Sequence, residues 1–461
     1  MRIWLARTSG IAFLLGASLV QAALLTPQWS KTLAGLINEN CRSSTVDREA
    51  PPNGPRSLPS CVREQSTAIR DLKVSSHSGA LANLVTQAIA FSPDAVRRWQ
   101  IALCDFCAIV EAPDTISADH LLPDGSAWLV IRSHPLAGVP NLRQRVVRVD
   151  PNGNMVADTA LTDFPSGRRD ATAVFASPAQ AIVLQANGSA MRWNRVGAAG
   201  TLLESREFSV SAQRDSVWFA AQRELPDGGV VVAVAYRDTD GCEISPPICP
   251  PGNASLLRLA ADGALLWQTI LPDTDPLIAL DADGSALEMF GESSGDAPRL
   301  RTVSSNGVVS HAFDRPSGET YSRSLLDGPI NGHFLVLGDT GLQLINAAGT
   351  RVAASAGFTY FSFHKALAVG SLGFLLPGYG PGGADTALLD PDTLAIRAEF
   401  DFDGMRSENY GYTESWQLVD DGSVYGSEQV PFSDTAERTR VGRFAVPGTA
   451  AAGRIYLDNF D

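Results

Sequence analysis

Three observations predict an all-β chain built from repeated four-stranded sheets. A two-residue turn of the Asp-Gly kind, flanked by alternating apolar residues, recurs at ~50-residue spacing along most of the sequence. A second turn series interleaves with the first, so that each repeat holds two hairpins. Nothing in residues 105–446 reads as a long amphipathic helix.

Composition sets the bounds. The 461 residues are 44% hydrophobic and 19% charged, which is globular, and 41 Gly with 28 Pro is too little for a collagen or a low-complexity chain. At ~150 residues per domain the length alone would give three domains; the turn periodicity replaces them with one repeating unit. A net charge of −14 argues against nucleic-acid binding, which needs a basic surface. Only Lys31, Lys73 and Lys365 are lysines, the other basic residues being Arg. That skew reads as a coding habit rather than as a binding surface.

The first 22 residues have the layout of a secretory signal. Arg2 and Arg7 supply the basic region, Ile11 to Val20 the apolar stretch, and Val20-Gln21-Ala22 the small-residue cleavage site. The apolar run is too short to span a bilayer and no second one follows, so no membrane insertion is expected. The expected location is periplasmic or secreted, with cleavage after Ala22. The six cysteines fall in near pairs, Cys41 with Cys61, Cys104 with Cys107 and Cys242 with Cys249, and an oxidising compartment would make them disulfides.

The first turn series runs Leu122-Pro123-Asp124-Gly125, Leu225-Pro226-Asp227-Gly228, Leu280-Asp281-Ala282-Asp283-Gly284, Leu326-Asp327-Gly328 and Val419-Asp420-Asp421-Gly422, with weaker equivalents near Ala179 and Gly370. The second runs through Asp150-Pro151-Asn152-Gly153, Ala198-Ala199-Gly200, Ala261-Asp262-Gly263, Ser305-Asn306-Gly307, Ala347-Ala348-Gly349 and Asp390-Pro391-Asp392-Thr393. Four-stranded sheets repeating radially make a β-propeller, a ring that leaves only short protected edges. The wording Leu256-Leu257-Arg258-Leu259, turn, Ala264-Leu265-Leu266-Trp267 resembles the repeats of PQQ-like, quinoprotein-type propellers. The resemblance covers the chain as a rhythm and is sharp only around residues 256–271.

The expected architecture is therefore a single all-β propeller, with eight blades favoured and seven as the alternative. The hairpin at Gly422 is followed by one clear strand, Arg440 to Val446, so an N-terminal strand must complete that blade. Closure by Trp29 gives eight blades, with residues 23–104 holding the closing strand and a divergent first blade; closure by Trp99 gives seven, with residues 23–96 as an extension. Residues 105–452 hold the other blades, and residues 453–461 resemble the short C-terminal tail of exported proteins of some proteobacteria.

Both turn series lie on one face of such a ring and are tight, while the second-to-third loops are long: Ser133 to Asn141, Arg237 to Ser255, Glu292 to Pro298, Gly378 to Asp385 and Phe432 to Arg438. Elaboration of one face marks it as the binding face, where Arg168, Arg169, Asp238 and Asp240 are candidates. No HExxH, zinc-ligand spacing, GxSxG elbow or GxGxxG fingerprint is present. The best metal candidate is a calcium site at Glu399, Asp401 and Asp403, half of an EF-hand-like loop; no other cofactor is expected. The expected function is non-catalytic binding of a protein, glycan or envelope component by a monomer. The alternative is a propeller enzyme, a PQQ-type dehydrogenase or a calcium-dependent hydrolase.

Overall fold

The structure is a computed structural model that describes residues 23–25, 29–33, 71–75, 78–83, 87–102, 115–133, 143–161, 171–187, 190–209, 216–237, 253–271, 277–281, 283–290, 299–314, 325–330, 333–338, 341–346, 350–356, 367–369, 372–377, 386–402, 417–419, 422–433 and 436–446. Strands β1 (Ala23–Leu25) and β2 (Trp29–Leu33) open it. Then come β3 (Asp71–Ser75), β4 (Gly79–Asn83), β5 (Gln87–Phe91), β6 (Arg97–Ala102), β7 (Thr115–Leu121), β8 (Ala127–Ser133), β9 (Arg143–Val149) and β10 (Met155–Ala160). The next two sets are β11 (Ala171–Ala176), β12 (Gln180–Ala186), β13 (Ala190–Gly197) and β14 (Leu202–Ser209), followed by β15 (Ser216–Glu224), β16 (Val230–Arg237), β17 (Asn253–Leu259) and β18 (Leu265–Leu271). After these stand β19 (Leu277–Leu280), β20 (Ala286–Phe290), β21 (Arg299–Val303), β22 (Val309–Asp314), β23 (Leu325–Ile330), β24 (His333–Gly338), β25 (Gly341–Asn346) and β26 (Arg351–Ala356). The last are β27 (Leu367–Ala368), β28 (Phe374–Pro377), β29 (Thr386–Leu389), β30 (Ile396–Phe402), β31 (Gln417–Leu418), β32 (Ser423–Ser433) and β33 (Ala436–Ala445).

Seven consecutive groups of four, from β3–β6 to β27–β30, are antiparallel meanders. An eighth sheet joins β31, β32 and β33 to β2 at its outer edge, where Trp29 stands opposite Arg443 and Leu33 opposite Thr439. The first strands of the sheets neighbour one another in order from β3 to β31, and β31 neighbours β3 again. Adjacent sheets share one apolar cluster at every junction. The junction of first and last sheets is made by Leu72, Ile89, Val419, Tyr425 and Val441. The chain is a β-propeller whose ring is closed by an N-terminal strand. Strand β1 adds a fifth strand to the β27–β30 sheet, parallel to β30, with Leu24 opposite Asp401.

Burial explains the strand sequences. A blade is covered on both faces by its neighbours, so its middle strands read as unbroken apolar runs: Val230 to Tyr236 of β16 is buried throughout. Outermost strands alternate instead, and β14 is half-buried and exposed in turn along its whole length.

The turns are wider than the two-residue hairpins expected. In the first series, Leu122 N donates to Ser126 O at 2.8 Å and Gly125 N to Leu122 O at 2.9 Å; the pattern repeats at Leu225–Gly229 and Val419–Ser423. Pro123 presets the turn's φ, Asp124 Oδ1 accepts from Ser126 N at 2.9 Å, and Gly125 takes φ +86°. Two placements differ from the sequence reading. Asp327-Gly328 is no turn: it lies inside β23, where the register slips between Leu326 and Ile330, and the chain reverses between the paired Ile330 and His333. Pro329 has no N–H for the ladder, which accounts for the slip. Phe432 to Arg438 is no long loop, because β32 and β33 stay paired out to Ser433 and Ala436.

Blades are pinned to one another at the turn face. Three third-strand arginines each donate to the third-to-fourth turn of the next blade: Arg148 Nη1 to Ala198 O at 3.4 Å, Arg258 Nη1 to Ser305 O at 3.3 Å and Arg443 Nη1 to Pro93 O at 3.2 Å. Two fourth-strand tryptophans also donate to turns of the next blade, Trp99 Nε1 to Gly125 O in the first-to-second turn at 3.3 Å and Trp267 Nε1 to Ser305 O in the third-to-fourth turn at 3.0 Å. A planar, five-donor guanidinium suits this role better than an ammonium, so part of the arginine excess has a structural use.

Candidate functional site

The opposite face carries the long connections, residues 134–142, 162–170 and 238–252 among them. Of the expected site residues, Arg168, Arg169, Asp238, Asp240, Asp403 and all six cysteines (Cys41, Cys61, Cys104, Cys107, Cys242, Cys249) lie outside the described residues. Glu399 and Asp401 fall within β30, an extended strand flanked by β29 and β1, rather than in a loop. Among the described residues no group of three or more His, Cys, Asp or Glu side chains is placed to hold a metal ion.

What the structure does place beneath the loops is a chain of neutral polar groups spanning the β7–β10 and β11–β14 blades. Gln144, at the start of β9, donates through Nε2 to Thr172 Oγ1 at 3.1 Å. Gln185 Nε2 donates to Gln144 Oε1 at 2.7 Å, Asn194 Nδ2 to Gln185 Oε1 at 2.8 Å, and Ser205 Oγ to Asn194 Oδ1 at 2.9 Å. Gln144, Gln185 and Asn194 are all buried, so each amide must find its partner inside the protein, and each does. Residues 162–170, with Arg168 and Arg169, lead directly into β11, which carries Thr172. Around the axis the loop ends of the first strands add half-buried Thr115, Ser117, Trp218 and Ile278. The groups named at this end are thus amides, hydroxyls, an indole and one aliphatic side chain, with the Arg192–Glu207 ion pair, 2.8 Å, at the loop ends of β13 and β14.

Two titratable groups stand side by side in β7. Asp119, buried near the close of β7, accepts from Asn83 Nδ2 at 2.6 Å across the blade junction. The next residue, His120, is held neutral: burial and the Lys73 ammonium lower its pKa to about 4, against a hydrogen bond with the Val174 backbone that raises it. A register shift between Ile116 and Ala118 in β7 sets the outlook of these side chains, and β15 has its own between Phe219 and Ala221. Sequence reading missed both the amide chain and the His120 group. The only signal was position: two residues before a Leu-Pro-Asp-Gly turn, or at the loop end of a middle strand.

The turn aspartates are structural. Asp150 sits below the usual carboxylate range because Asn154 hydrogen-bonds it, joined by the amides of Asn152 and Gly153. Asp390 is depressed furthest, by the amides of Asp392 and Thr393, the Thr393 hydroxyl and Arg397. Asp227 is lowered by the Gly229 amide and by Arg258, whose Nη2 lies 2.8 Å from its carboxylate.

No protein-family model matches the chain, and no curated protein sequence matches it. Solved structures with a similar course include a virginiamycin B lyase from Staphylococcus aureus, 11% identical, covering 72% of this chain and 97% of that one with a TM-score of 0.37. A streptogramin B lyase is 13% identical over 68% and 98% with a TM-score of 0.35. A mutant of the Synechocystis apocarotenoid oxygenase is 13% identical over 61% and 70% with a TM-score of 0.34. At these values the likenesses carry no argument about activity.

Proposed function

We propose that the chain is an exported β-propeller that binds a protein or glycan through its loop-bearing face without turning it over. One observation carries the reading. Every described turn on one face is short, from residues 331–332 to residues 390–395, and several are tied to the next blade, while connection length on the other face ranges from residues 434–435 to residues 238–252. A rigid floor under variable loops is the arrangement of a recognition surface. The hydrogen-bonded amides of Gln144, Gln185 and Asn194 supply that floor, and their neutrality suits recognition of polar, uncharged groups. No calcium or quinone is required.

The test compares the mature chain with a variant in which residues 238–252 are replaced by a two-residue turn. Each is probed on a glycan array, by retention of envelope proteins, and in an oxidase and hydrolase screen. A specific ligand held by the intact chain and lost from the variant is expected. Reproducible turnover by the intact chain overturns the proposal.

A further inference from the structure

The outermost strand of each blade presents an unpaired edge unless something covers it, and such edges are ordinarily blunted by charge. Across this ring the outermost strands are Arg97–Ala102, Met155–Ala160, Leu202–Ser209, Leu265–Leu271, Val309–Asp314, Arg351–Ala356, Ile396–Phe402 and Trp29–Leu33. All but one contain Asp, Glu, Lys or Arg. The exception is β18, Leu-Leu-Trp-Gln-Thr-Ile-Leu. Among the described residues nothing pairs with its outer side, whereas β30 is covered by β1.

The side chains of β18 divide by face. Trp267 and Thr269 face the next blade, donating to Ser305 O and Gly307 O, and Leu271 is buried. Leu266 and Ile270 point the other way and are 54% and 59% exposed. Leu265 beside them is 39% exposed, and Val308 and Val309 on the adjoining blade are exposed too. With Leu265, Leu266 and Ile270, β18 carries more exposed large apolar side chains than any other described strand, and no charge interrupts it.

We propose that this edge pairs with the same edge of a second copy, making an antiparallel, two-fold dimer through β18. The strand is self-complementary. Pairing centred on Gln268 sets Leu266 opposite Ile270 of the partner and Ile270 opposite its Leu266, while Trp267 meets Thr269. A two-fold contact needs one patch to match itself, and this one does so without bringing like charges together. The chain-wide charge of −14 opposes approach of two copies, so added salt, by screening it, strengthens the dimer. The same chain already extends one blade in this manner, by laying β1 along β30. The monomer expected from the sequence is then the dilute, low-salt form.

The experiment is sedimentation of the full mature chain over a concentration series at low and high salt, beside the double variant Leu266→Lys/Ile270→Lys. Both substituted positions are exposed, and unchanged circular dichroism and melting show that the variant is folded. A dimer that tightens with salt and is lost in the variant is expected. As a second readout, Gln268→Cys should give a disulfide-linked dimer on a non-reducing gel that the parent does not give. A parent that stays monomeric at the highest concentration, or a dimer that survives the two lysines, overturns the proposal.

Discussion

Arg443 and Pro93 lie at opposite ends of the sequence, yet the arginine Nη1 donates to the proline carbonyl at 3.2 Å. The guanidinium is fully buried, its Nε and Nη2 bond Ser423 Oγ at 3.0 and 2.7 Å, and it lies 5.5 Å from the Tyr425 ring centre. It therefore ties the last sheet to the first where the ring meets itself, and it is the most buried example of a bond that Arg148 and Arg258 make elsewhere.

Replacing Arg443 with Met keeps the bulk but leaves the Pro93 carbonyl and the Ser423 hydroxyl without their donor. The expected loss is about 2–4 kcal/mol, read as a lowered urea midpoint with an unchanged slope. An unchanged midpoint would show that the junction is held by its apolar cluster alone.

Much of the ring was legible before any coordinates. Gly125, Gly153, Gly228 and Gly263 mark turns because each takes a positive φ that other residues reach at a cost, and those turns set the repeat. The same logic failed at Asp327-Gly328, where Pro329 broke the ladder, and in the turns at Ser92–Ala95 and Asp390–Thr393 the positive φ falls instead on Ala95 and Leu394, at +67° and +58°. That an N-terminal strand closes the ring was legible because the last hairpin lacked a partner, and of its two candidates, Trp29 and Trp99, the pairing of β2 with β33 selects the first. The polar site was not: whether Gln185 or His120 faces a loop, a channel or a neighbour depends on strand register across a junction, and one residue's slip reverses it.

Gly307 has φ +81°, and a Cβ there would stand 2.7 Å from Cδ2 of the Trp267 ring. Gly307→Ala is expected to cost about 1–3 kcal/mol, from the left-handed backbone and displacement of the indole. Denaturation followed by tryptophan fluorescence measures it. Adding Trp267→Leu should recover part of the loss, and a double variant no better than the single would place the whole cost in the backbone.

Glu288 is fully buried and paired with Arg301 Nε at 2.7 Å across β20 and β21. Arg301→Met leaves the carboxylate buried beside an apolar chain and is expected to cost about 3–5 kcal/mol. The double variant Glu288→Leu/Arg301→Met should recover most of that. The coupling in a thermodynamic cycle decides the matter, and additivity of the two changes would count against a dependent pair.

His120 predicts a pH dependence. Its folded pKa, about 4, is below the ordinary 6.5, so between those values the unfolded chain binds a proton that the folded chain refuses. Stability therefore rises with pH from 4 to 6.5, by at most about 1.4 kcal/mol per unit, and is level in this respect above 6.5. The depressed turn aspartates, Asp150, Asp227 and Asp390, add a further loss below the ordinary carboxylate range. His120→Gln should flatten the upper part of the profile and leave the acid limb intact. Urea midpoints at a series of pH values test this, and an unaltered slope in the variant would assign the dependence elsewhere.

The pairing of β2 with β33 has a consequence in time. The strand that finishes the ring is among the earliest to be made, and its partner is the last described strand of the chain. No growing chain can close: each blade can stack on the one before it, but Trp29 to Leu33 must wait, unpaired, until Thr439 to Arg443 exist. Closure of the ring is thus a late, long-range event, and until Thr439 to Arg443 arrive the opening strand has an edge without its partner.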